Sequence, residues 1–168
     1  GTTIPVRLEG ICIISGDGSL VIHVMVSDIS DIVAAQEALR TNHSRLESAM
    51  EAGNLAWWEM DCSTGKVSFS EQKALMLGYP AEKFSHYSDF TTLLHPDDYE
   101  PTMQAMRDHL SGVKKNYEAD YRIRTITGEY RWFHDTGGVS AYGTDGAPLK
   151  VPGLVIDITE RKMAHLAL

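Results

Sequence analysis

Cysteine is nearly absent from this 168-residue chain: Cys12 and Cys62 are the only two, without the CxxC spacing of a zinc or redox site. Two thiols cannot make a disulfide framework, so a reducing, cytoplasmic setting is expected. Long apolar runs are missing as well. The longest, residues 20–26, is strand-sized and carries His23, whereas a membrane-spanning helix needs ~20 apolar residues. No signal-peptide pattern opens the sequence. Basic residues are the minority, 15 Lys+Arg against 23 Asp+Glu, for a formal charge of −8. That balance argues against nucleic acid and anionic membranes as partners. GxSxG, P-loop and HExxH patterns are all lacking, so no catalytic residue is expected. The seven histidines contain no i, i+4 pair, and no metal site is expected.

What is present is the composition of a folded chain, 43% hydrophobic and 23% charged. It also contains an internal resemblance. Gly16-Asp17-Gly18-Ser19, an apolar run and Asp28-Ile29-Ser30 are echoed by Thr144-Asp145-Gly146-Ala147, an apolar run and Asp157-Ile158-Thr159. Each reads as turn, strand, then the start of a helix. The aspartates are 129 positions apart and the turn glycines 128, so one residue of indel separates the copies. The simplest account makes residues 1–30 the C-terminal hairpin of a preceding, incomplete copy; chance similarity of two hairpins is the alternative.

Residues 31–52 read as a helix. Ile32, Leu39 and Leu46 fall seven apart, with Ala35, Asn42 and Ala49 three later, a coiled-coil seam over three heptads. Gly53-Asn54 stops it. Residues 55–61 and 67–69 are strand-like across a Ser63-Thr64-Gly65-Lys66 turn. Ser68 with Glu71 suggests a capping box for a short helix ending at Gly78. Asp97, with Glu100 three on, suggests a cap for a helix running to about residue 110. From residue 116 the period becomes two: Tyr117, Ala119, Tyr121 and Ile123 alternate with Glu118, Asp120, Arg122 and Arg124. Turns at Thr127-Gly128 and 143–146 then divide two further strands, and Asp157 with Glu160 suggests the cap of a last helix. Helices grouped over one face of an antiparallel sheet make an α+β fold.

In this order, several pieces carry a family. Leu77-Gly78-Tyr79, "HPDD" at 95–98, "TGEYRWF" at 127–133 and "GLVIDITERK" at 153–162 make residues 45–162 resemble a PAS sensory domain with its PAC segment. The resemblance implies a PAS fold with a five-stranded antiparallel sheet, short helices on one face and a preceding linker helix. It divides the chain into residues 1–30, a hairpin left from an upstream PAS-like domain; 31–52, a coiled-coil linker; 53–158, the PAS/PAC domain; and 159–168, the start of an output helix. Such modules sit upstream of a covalently linked effector, a histidine kinase or a cyclic-di-GMP cyclase.

The resemblance also assigns sides. Alternation on the first strand groups Trp58 and Met60 opposite Trp57, and the PAS pattern turns Trp58 and Met60 inward. Tyr121 and Ile123 point inward on alternation alone. On the next strand alternation is undecided, and the PAS pattern favours Phe133 and Asp135 inward with Trp132 outside; Val155 follows. Trp58, Met60, Tyr121, Ile123, Phe133, Asp135 and Val155 are thus the ligand-pocket candidates, although large aromatics there can simply fill a core. An inward Asp135 favours a pocket, because a buried carboxylate needs partners. Asp28, Asp157 and Thr159 are the expected signal-relay residues at helix starts. The helix seam at Ile32, Ala35, Leu39, Asn42, Leu46 and Ala49, together with Trp57 and Trp132 on the outer sheet face, would serve a homodimer.

No cofactor is expected, though an unknown small ligand is possible on this reading. Some PAS domains hold haem through a histidine on the long helix, where this sequence has His109; a solvated helix-end histidine facing the helix dipole is expected instead. Light-sensing PAS domains need a cysteine in an Asn-Cys-Arg-type helical motif, and Cys62 ends a strand. The leading expectation is a non-enzymatic sensory and dimerisation module. The alternatives are a haem-type gas or redox sensor and a purely architectural spacer.

Overall fold

The computed structural model describes residue 1 and residues 3–166, which fall into two compact units, residues 1–48 and 49–168. The last two positions of the expected output helix, 167 and 168, lie outside the described residues.

In the first unit β1 (Val6–Ile14) and β2 (Leu20–Asp28) form an antiparallel hairpin in continuous register from Val6↔Asp28 to Ile14↔Leu20. Its turn follows from Asp17 and Gly18. The Asp17 carboxylate accepts from the Ser19 N–H, and Gly18 takes φ +85°, where a Cβ would be unfavourable. Leu8, Val24, Val26, Ile22, Ile14 and Leu20 share one face of the hairpin, and all are exposed. Helix α1 (Ser30–Ala52) follows and buries none of its residues; Ile32, Leu39 and Leu46 of the expected seam are exposed. Gly53 and Asn54, the latter at φ +50°, end it.

The second unit is built on a six-stranded antiparallel sheet. β4 (Val67–Phe69), β3 (Leu55–Asp61), β8 (Pro148–Asp157), β6 (Tyr130–Gly137) and β5 (Tyr117–Arg124) lie in that order, and β7 (Ala141–Tyr142) pairs with β8. The sheet therefore has one strand more than expected. Residues 129–142 read as a single strand, but the chain leaves β6 after Gly137 and rejoins β8 as a separate two-residue strand ending in the Gly146 turn.

Between β4 and β5 the helices α2 (Glu71–Leu75), α3 (Tyr87–Thr91) and α4 (Pro96–Leu110) and a 3-10 turn (Ala81–Lys83) cover one face. Their starts differ from the expected caps. Ser68 is a strand residue; Ser70 is the N-cap of α2, and its hydroxyl bonds the Trp57 N–H instead of a helix amide. His95 caps α4, its Nδ1 accepting from the Asp97 N–H, with Pro96 in the first turn where no amide is needed. The next carboxylate, Asp98, takes Nε and Nη2 of Arg122 in a two-pronged ion pair, both at 2.8 Å, and fixes α4 to β5.

Alternation puts Ala56, Trp58 and Met60 of β3, Tyr117, Tyr121 and Ile123 of β5, Phe133 and Asp135 of β6, and Val151 and Val155 of β8 on the inner face. Phe84 and Phe90 stack at 4.1 Å, with Phe69 edge-on to both, and close the core beneath β4. His109 is 5% exposed, not the solvated residue expected at a helix end. Its Nε2 accepts from the Val139 N–H at 3.2 Å, so Nδ1 carries the proton donated to the Lys114 carbonyl at 3.1 Å. The loop after α4 folds back over it. α5 (Thr159–Leu166) leaves directly from β8.

Candidate functional site

A cavity of about 590 Å³ lies between the inner sheet face and helices α2–α4. Five of the seven pocket candidates line it: Trp58, Met60, Tyr121, Ile123 and Asp135. Phe133 and Val155 are not in its wall; both are fully buried as packed core. The polar centre is Asp135. Its Oδ1 accepts from Trp58 Nε1 at 2.6 Å and its Oδ2 from Tyr121 Oη at 2.8 Å. Burial pushes its carboxyl above the usual carboxylate range, against the lowering influence of Lys73, Tyr121 and Trp58. Burial beside Asp135 likewise pushes the phenols of Tyr117 and Tyr121 well up, so both remain donors.

The Trp58–Asp135 bond depends on glycine. β8 runs between β3 and β6, and Gly153 is the β8 residue opposite Trp58. A Cβ there would stand 2.3 Å from the indole and 2.5 Å from the Thr136 carbonyl. The ring thus lies flat across β8 because position 153 has no side chain.

Lys73 was not legible as a site residue. Lying between Gln72 and Ala74 in a short polar run, it carries no local sign of burial, yet α2 buries it together with Ala74. Its ammonium sits over Phe90, 4.2 Å from the ring centroid, and 5.3 Å from that of Trp58. Burial lowers its pKa, with Asp135 opposing. Cys62 follows β3 in a turn at the cavity edge, half-buried, and burial raises its thiol pKa.

The relay candidates form corners. Asp157 Oδ1 accepts from the Thr159 N–H at 2.9 Å and from its hydroxyl at 2.5 Å, while Oδ2 takes Arg131 Nη1 at 3.0 Å. Thr159 Oγ1 in turn accepts the Trp132 N–H, and the Ile158 N–H bonds the Trp132 carbonyl. Asp28 repeats this: Oδ1 accepts from the Ser30 N–H at 2.8 Å and hydroxyl at 2.6 Å, and the Ile29 N–H bonds the Pro5 carbonyl. The hairpin turns match as well, with Asp145 bonding the Ala147 N–H as Asp17 bonds that of Ser19.

On the outer sheet face Trp57 is 41% exposed beside the exposed Leu154. Trp132 is half-buried, with Arg122 and Lys162 over its ring at 5.2 and 4.9 Å, and Lys162 also pairs with Asp120 at 2.8 Å. The expected exposed pair of tryptophans is therefore reduced to Trp57, because a cation from α5 and one from β5 occupy the face of the other.

Residues 66–155 match the PAS fold family. The chain belongs to that family. Blue-light-activated histidine kinases of Brucella anthropi and Brucella ovis are 28% identical over 121 residues, 72% of this chain and 24% of theirs. The chain thus spans about a quarter of the length of these curated relatives. Among solved structures, a sensory box histidine kinase/response regulator from Burkholderia thailandensis superposes with a TM-score of 0.62 at 26% identity, covering 73% of this chain and 91% of that one. The N-terminal domain of a diguanylate cyclase with PAS/PAC sensor from Marinobacter aquaeolei gives 0.58 at 25% identity, covering 64% and 98%. This PAS domain has no helix among the described residues that is long and apolar enough to cross a membrane.

Proposed function

We propose that this chain is the sensory module of a cytoplasmic histidine kinase or cyclase, itself non-catalytic, and that an occupant of the interior cavity is read out through the Asp157 corner. One observation carries the reading. Strand β6 presents Asp135 to the cavity and, three residues earlier, is bonded through both backbone groups of Trp132 to Ile158 and to Thr159, the first residue of α5. A change in how Asp135, Trp58 and Tyr121 are bonded moves β6, and α5 is tied to that strand rather than to a loop. The cavity favours a sensor over an architectural spacer. Both ring nitrogens of His109 are engaged by backbone groups, which leaves neither for haem iron.

The shared hydrogen bonding of the Asp28 and Asp157 corners, and of the turns at Gly18 and Gly146, supports reading residues 1–30 as the closing hairpin of another PAS copy. In that reading α1 is the relay between copies, and its exposed Ile32, Leu39 and Leu46 pair with the same helix of a second chain, assisted by Trp57 on the sheet. Hydrogen exchange of β6 and α5 tests the relay. Altering the cavity by Tyr121→Phe should change protection at Trp132, Thr159 and along α5; protection unchanged beyond the cavity would remove the corner from the mechanism.

A further inference from the structure

The cavity of this PAS domain is lined by several hydrogen-bond donors and by a single carboxylate among the described residues. Lys73 is 6% exposed and lines the cavity; it feels the charge of Asp135 but makes no hydrogen bond and no ion pair within 4 Å among the described residues. Tyr117 and Thr102, also buried, bring hydroxyls to the same wall, and neither side chain bonds to a described residue. Asp135 is the carboxylate in that wall, and each of its oxygens already accepts a bond, from Trp58 and Tyr121. None of these donor atoms is sealed away from the cavity space, so whatever fills the cavity, water or ligand, must supply their acceptors. The ammonium thereby sets the chemistry that an occupant displacing water has to bring.

We infer that the cavity takes a small organic monocarboxylate, its carboxylate on Lys73 Nζ and its aromatic or alkyl body among Met60, Phe90 and Met106. The inference rests on reading the cavity as the sensory site and names the chemistry of its ligand. A cation is repelled by Lys73. Of the two cations lining the cavity among the described residues, Arg107 is paired with Glu100, so a dianion would find one ammonium free of an ion pair, with the Asp135 charge nearby. A neutral carbonyl satisfies one N–H and leaves the charge of Lys73 with only the Phe90 and Trp58 rings against it, whereas a carboxylate both accepts the bond and pairs the charge. The volume of about 590 Å³ is that of a small-molecule site.

The test titrates the chain with phenylacetate, indole-3-acetate and octanoate, each beside its neutral amide, by calorimetry and by NMR of the methionine methyls. At least one acid should bind about 10–100-fold tighter than its amide, the range for a charged hydrogen bond, and should shift the Met60 and Met106 signals. Lys73→Met should erase that preference while melting no lower than wild type, since the thioether fills the space without a charge to bury. Should Lys73→Met fail to fold, Lys73→Gln, of similar length and neutral, is expected to lose the same preference. Amides binding as tightly as acids, or acids binding Lys73→Met as they bind wild type, would overturn the monocarboxylate while leaving the cavity a ligand site. No binding and no methyl shift with any of the six compounds would overturn both.

Discussion

Trp58 Nε1 and Asp135 Oδ1 are joined at 2.6 Å across a strand that belongs to neither of them. The indole reaches β6 from β3 by lying over Gly153 of β8, and the bond satisfies one oxygen of a buried carboxylate. Cavity wall, sheet and charge are thereby set by one contact.

Gly153→Ala should break this arrangement. The added Cβ meets the indole and the Thr136 carbonyl, and moving the ring leaves Asp135 short of a donor. Overpacking costs about 1–3 kcal/mol and an unmatched buried polar group about 1–3 kcal/mol, so urea unfolding should show a loss of at least about 2 kcal/mol. The same substitution at Gly112, where a Cβ meets nothing but φ is +78°, should cost only about 1 kcal/mol. Equal effects at the two positions would show that the close approach carries no energy.

Asp98 is held below the usual carboxylate range chiefly by its hydrogen bond from Arg122. A lowered folded-state pKa gives stability that is complete above the unfolded value near ~4 and lost as pH falls through the folded value. Asp61, held at about 2 by Ser63 and Thr64, contributes with the same sign, and Asp135, raised by burial, with the opposite one. Asp98→Asn should therefore unfold about 1.5–3 kcal/mol more easily at neutral pH and show a shallower loss of stability below pH ~4. Parallel pH profiles for variant and wild type would count against the pair.

Asp157→Ala removes the acceptor for the Thr159 N–H and hydroxyl and for Arg131. Loss of such a cap costs about 1 kcal/mol, and faster amide exchange should be confined to Thr159, the Trp132 amide and α5. Arg131→Ala, which leaves the cap intact, should not reproduce the exchange pattern.

The coil reading of α1 predicts a phase dependence. One alanine inserted after Asn42 turns everything beyond it by about 100°, while seven residues restore the face. In a protein carrying the effector, the single insertion should disrupt or invert output and the seven-residue insertion should largely preserve it. Equal outputs, or a chain that remains monomeric at high concentration, would reject it.

Local chemistry was legible in the sequence because the interacting groups are a few residues apart. Asp157 bonds a residue two positions on, Asp17 and Asp145 likewise, and each sets its corner or turn whatever lies beyond. Alternation on β5 was equally readable, since period two follows from the pleat. The inner side of β6 needed the family pattern, because its alternating residues are polar or aromatic on both faces. Only the tertiary structure decided the rest. Trp58 and Asp135 are 77 residues apart, and their bond exists because Gly153 lies between them. Lys73 becomes an unmatched donor only when α2 folds down over the sheet, and His109 is buried only once residues 114 and 139 close on its two nitrogens. Short-range hydrogen bonds specify themselves. A cavity is defined by what long-range packing leaves unfilled, and no local pattern of residues records that remainder.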